Sequence, residues 1–151
     1  MVIALPLHIL ASVIWVGGMF FAYMALRPVA ASLLEPPLRL PLWVQVFDKF
    51  FPWVWVSIII LPVTGLWMVY SVFGGFGNVG LYIHLMTGVG TLMILLFLHV
   101  YFVPYRRMKL ALAAKNFPDA GRRLAQIRVI IGANLLLGLL VVVIASAGRF
   151  M

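Results

Sequence analysis

The chain has 151 residues, of which 66% are apolar and 9% charged, and its mean hydropathy is +1.18. A water-soluble core needs no such excess, so the composition points to lipid as the solvent. The sequence has no cysteine, which excludes disulfides, thiolate metal sites, iron–sulfur clusters and cysteine nucleophiles.

A spanning helix needs about 20 mainly apolar residues, and four uncharged stretches reach that length: 1–26, 50–73, 80–105 and 129–148. The first has no basic residue ahead of its apolar run and no small-x-small pattern before Arg27, so it reads as a retained helix rather than a secretory signal. Residues 27–49 form the first connection, with Arg27, Arg39 and Lys49 against Glu35 and Asp48. Its prolines at 28, 36, 37 and 41 argue against one regular helix. Residues 42–51 (LWVQVFDKFF) are expected to lie along the membrane interface until Pro52 starts the second span. Trp43, Trp53 and Trp55 suit an inner aromatic belt, and Tyr70, Phe73 and Tyr82 an outer one.

Residues 71–80 (SVFGGFGNVG) read as a short glycine-rich link between antiparallel neighbours. The third span is expected to bend at Pro104, run on through YRRMKLALAAK and stop at Asn116–Pro118. The second connection, 106–128, carries Arg106, Arg107, Lys109, Lys115, Arg122, Arg123 and Arg128 against Asp119, and the far ends carry only Arg149. Under the positive-inside rule both connections are cytoplasmic, and both termini and the 73–80 turn face outward. Topology and anionic headgroups account for the +8 net charge, so no nucleic-acid partner is expected. The fold class is all-α: a single transmembrane domain over 1–151, built as an antiparallel four-helix bundle in the lipid bilayer. Gly17, Gly18, Gly65, Gly88, Gly90, Gly132 and Gly138 are expected to let helices approach closely.

Ionisable groups inside lipid are costly and mark function by default. No Asp, Glu, Lys or Arg lies well within a span, which leaves His8, His84, His99 and the neutral Asn134, with Ser12, Ser57, Thr64, Thr87 and Thr91 as lesser polar groups. At 1.5 Å per residue His8 lies about 10 Å below the outer end of helix one, and His84 about 6 Å below that of helix three. His99 is about 22 Å deeper than His84. Steps of about 100° per residue align His8 with Ser12, Trp15 and Met19, and His84 with Gly88, Thr91 and Leu95.

Two imidazoles at one depth, each beside a small residue, are the arrangement that holds a six-coordinate haem iron inside a bundle. His8 and His84 are therefore the candidate axial ligands of a haem b, with Gly88 and Trp15 in its pocket and His99 as a further cofactor or quinone contact. Met68 falls in the same outer third, and His8, His84 and Met68 form the alternative Cu(I) donor set. In a third reading the histidines only join helices, in a cofactor-free structural or assembly subunit. No buried carboxylate or thiol is present to act as base or nucleophile, so no catalytic residue is assigned. Any activity would be that of a membrane oxidoreductase, not a hydrolase.

The segment LHILASVIWVGGMFF (7–21), the pair Arg27–Pro28, FDKFFPWVW (47–55) and LFLHVYFVPYRRMK (96–109) resemble the copper-resistance protein D (CopD) family of bacterial membrane proteins. The first helix is also similar to that of HemJ-type protoporphyrinogen oxidases. The CopD resemblance implies copper import or resistance. The HemJ-type resemblance implies that His8 is associated with haem, but those enzymes carry a functional lysine on helix three, and no lysine occurs here between Lys49 and Lys109. The expectation is a multi-pass protein of the bacterial inner membrane that binds haem b and passes electrons between a quinol pool and a redox partner protein, alone or as a homo-oligomer. Copper transport is its alternative.

Overall fold

Four helices long and apolar enough to cross a membrane build the protein: α1 (Ala4–Leu33), α2 (Pro36–Phe73), α3 (Leu81–Ala113) and α4 (Phe117–Ala147). The structure, a computed structural model, describes residues 1–150. The Arg149 side chain and Met151 lie outside the described residues, and with them the charge expected at the outer end. Consecutive helices run antiparallel, so both termini sit at one end of the bundle and the basic connections at the other. Along their lengths α1 packs chiefly on α2 and α3 on α4, while α4 also touches α1 and α2.

The helices are longer than the apolar runs suggested. The first connection, expected over 27–49, shrinks to Leu34 and Glu35, because α1 continues to Leu33 and α2 starts at Pro36. Proline explains both the expectation and its failure. Pro36 and Pro37 occupy the first turn of α2, where the missing N–H has no partner to lose. Pro28 follows a π turn over Ala22–Leu26, and Pro104 lies inside another over Tyr101–Tyr105. A widened turn relieves the clash between a proline ring and the preceding turn, so each helix continues past its proline. Pro41, Pro52 and Pro62 lie within α2, which does not end at any of them. At the second connection only Ala114–Asn116 separate the helices. Asn116 caps α4 by accepting the Asp119 N–H (3.2 Å), twelve residues ahead of the expected start at 129.

Extending α2 back to Pro36 turns the supposed interfacial segment into core. Leu40, Trp43, Val44, Phe47, Phe51, Val54 and Ile58 recur at helical spacing and are all buried. Trp43 is therefore no belt residue. Trp55 packs edge-on against Phe97 and Tyr101, and of the three tryptophans expected at the inner surface only Trp53 is exposed. Phe47, Phe51, Phe97 and Tyr105 continue this aromatic cluster, with Phe47 stacked on Phe51 at 5.0 Å and Tyr105 edge-on to both. The Tyr105 hydroxyl donates to Asp48, which also receives Lys109 Nζ at 3.0 Å. This carboxylate ties α2 to α3 at the basic end.

Glycine sorts into two groups. A methyl group added at Gly18 would meet the Phe50 ring at 2.3 Å, at Gly132 the Tyr23 ring at 3.1 Å, and at Gly138 the Val16 side chain at 2.9 Å and Met93 Cε at 3.1 Å. Those are points where helices close on one another. At Gly17, Gly88 and Gly90 it would meet nothing within 4 Å, so these three do not bring helices of the same chain together as expected.

The core is not evenly distributed. It is dense toward the basic end, whereas α3 has no fully buried residue from Leu81 to Leu92. All three intramembrane histidines but His99 lie in the sparsely packed half.

Candidate functional site at the end carrying the termini

His8 projects from α1 toward α2, where its Nδ1 lies 2.8 Å from Thr64 Oγ1. The Thr64 hydroxyl has one proton, and that proton is directed at the Ile60 carbonyl, 2.6 Å away. With its proton so directed, Oγ1 can accept from the imidazole, which matches the tautomer in which Nδ1 carries the hydrogen and Nε2 the lone pair. Thr64 is buried, which holds this arrangement away from competing solvent. Gly65 makes room for the ring, since a methyl group there would lie 3.3 Å from His8 Cε1. A groove of about 480 Å³ opens beside the pair, lined by Met1, Ala4, Leu7, Val63, Thr64 and Trp67 among others. Met68 is half-buried on α2, about 40° round from Thr64 and about 6 Å nearer the terminal end.

Chemically, an imidazole with one nitrogen hydrogen-bonded to a fixed oxygen can offer its other nitrogen to a metal. The outer hydrogen bond sets the tautomer and the ring plane. Imidazole and thioether together suit a soft monovalent ion such as Cu(I). Among the described residues no group of three or more His, Cys, Asp or Glu side chains is placed to hold a metal. A hard divalent ion therefore finds no carboxylate cage here, whereas a His/Met set asks for none.

The other residues singled out by the sequence lie elsewhere. His84 is exposed on α3, with its ring 5.8 Å from that of Phe76. Among the described residues no hydrogen bond or ring contact joins it to His8. Gly88, Thr91 and Leu95 are exposed as well, so the lane expected to face a macrocycle is an outward face of α3. The reason is the pairing of helices: α1 lies along α2, and α3 turns its buried side to α4. Within one chain these residues do not fit a haem held between His8 and His84. Trp15 sits about 10 Å deeper than His8, is only 3% exposed and packs on Phe97 as core. His99 is exposed and has no hydrogen-bond partner among the described residues.

Asn134 is the other buried polar side chain that bears on the interior. Its Nδ2 donates to the Met93 carbonyl at 3.3 Å, and its Oδ1 has no partner among the described residues. It lines a cavity of about 20 Å³ with Trp15, Met19, Phe51 and Phe97, large enough for one water molecule. Thr64 was visible in the sequence only as a lesser polar group. The signal that could have raised it is its place on α2, which, counted from the turn at 74, puts it at the depth of His8.

The sequence profile of the family described as copper resistance protein D matches residues 44–147, from the third turn of α2 to the end of α4. The match takes in Thr64, Gly65, Met68, His84 and His99 and leaves α1 outside. No curated protein and no solved structure matches the chain. Four apolar helices of spanning length and a match over most of the sequence agree. The chain belongs to the copper resistance protein D family of multi-pass membrane proteins.

Proposed function

We propose that the protein handles copper in the membrane, taking Cu(I) as cargo at His8 Nε2 with Met68 as its thioether neighbour. The observation that supports this reading is the 2.8 Å contact of His8 Nδ1 with Thr64 Oγ1, whose own proton has the Ile60 carbonyl as acceptor, an arrangement that suits Nδ1 as donor and Nε2 as ligand. Family membership supports copper as the metal. In the orientation expected from the basic connections, the groove beside Thr64 opens to the outer leaflet, so copper would be met from the periplasmic side of a bacterial inner membrane. Weak, few-ligand coordination suits transfer rather than storage, because cargo must also leave.

Purification in mild detergent from cells supplied with both copper and haem precursors tests the proposal. Metal analysis should find copper, and the reduced-minus-oxidised spectrum should lack a b-type band. A b-type band with no copper would overturn the copper reading in favour of haem b.

A further inference from the structure

A single copy leaves one membrane-facing surface with the wrong chemistry for lipid. His84, Thr87, Gly88, Thr91, Leu95 and His99 are all exposed and fall within an arc of about 120° on α3. The two threonine hydroxyls are directed at the carbonyls one turn back, Ile83 and Thr87. Among the described residues the two imidazoles have no hydrogen-bond partner, and an unpaired polar group facing hydrocarbon is costly. The same stretch lacks a core, since no residue from Leu81 to Leu92 is fully buried. An added methyl group at Gly88 meets nothing within 4 Å, so a second backbone can come close there.

We infer that this face of α3 is the contact surface for a second copy of the chain. The occupant follows from symmetry and chemistry. Copies inserted with one orientation can pair only about a two-fold axis along the membrane normal, so each residue meets its own equivalent at its own depth. Every polar group on this face tolerates that. A neutral imidazole carries one donor and one acceptor, and a hydroxyl can do both, so His84 and His99 can each bond their counterparts. No Asp, Glu, Lys or Arg lies between residues 81 and 105, so like meets like without charge repulsion. The dimer completes at His84 and His99 two-imidazole contacts that one chain leaves open.

The absence of cysteine makes the test clean. Single variants Gly88→Cys, Thr91→Cys and Leu95→Cys are oxidised with iodine in native membranes and compared with Val143→Cys, an exposed position on α4. The α3 variants should give a disulfide dimer at least about tenfold faster than Val143→Cys. His84→Ala combined with Thr91→Cys should slow the reaction several-fold. Crosslinking from all three α3 positions no faster than from Val143→Cys would overturn the inference and leave that face to lipid or a different protein.

Discussion

Replacing Gly138 by leucine should lower the thermal midpoint of the detergent-solubilised protein by roughly 5 °C or more, while Gly17→Leu should leave it unchanged. Gly138 is where α4 meets α1 and α3 together. An added Cβ lies 2.9 Å from Val16 Cγ2 and 3.1 Å from Met93 Cε. Met93 can bend its terminal methyl aside, but Val16 is branched next to its backbone and has one favoured rotamer in a helix. The helices must therefore part to admit a larger side chain. Overpacking of this kind costs about 1–3 kcal/mol, sometimes more, and each kcal/mol moves the midpoint by about 2–4 °C in a chain of this size. Gly17, also in α1, meets nothing within 4 Å. Equal loss at the two glycines would mean that the observed helix contacts do not set the stability.

The second large effect concerns the ligand's support rather than the ligand. Thr64→Val keeps the volume and branching of the side chain but removes the acceptor for His8 Nδ1–H, and Gly65→Leu pushes into the ring at Cε1. Thr64→Val leaves the proposed metal position untouched, yet it should weaken Cu(I) binding about 10- to 100-fold, the range for loss of an outer-shell partner, and Gly65→Leu should weaken it too by displacing the ring. Thr64→Ser, which restores the hydroxyl, should recover most of the affinity. If Thr64→Val binds as the wild type does, the tautomer argument fails, because the imidazole then needs no oriented partner.

How much of this was legible before the structure differs from residue to residue. The four helices follow from uninterrupted apolar runs, since lipid leaves the backbone no alternative to internal hydrogen bonds. Their lengths did not follow. Proline at 28, 36 and 41 reads as a break in water-soluble helices, and only the structure reveals the first-turn position of Pro36, the π turn ahead of Pro28 and the continuation of α2 through Pro41. The stripe Leu40–Phe47–Val54 is present in the sequence, but an interfacial reading of residues 42–51 hides its period.

For the site, counting down each helix puts His8 and His84 at similar depth. Depth does not say which helix lies opposite, and rotation gives a face but not its neighbour. His8 meets Thr64 on α2, whereas the His84 face looks outward. A pair inferred from equal depth was thus two separate positions, one prepared by a buried hydroxyl and one open to whatever covers α3.

Whether the proposed His8 Nε2 position takes Cu(I) is decided by a competition titration of the purified protein against a chromophoric Cu(I) chelator. The wild type should withdraw copper from the chelator in proportion to protein, and His8→Ala should bind about 100-fold more weakly or worse, beyond the loss from an outer-shell change. Unchanged affinity in His8→Ala, with the fold intact by thermal midpoint, would contradict the account.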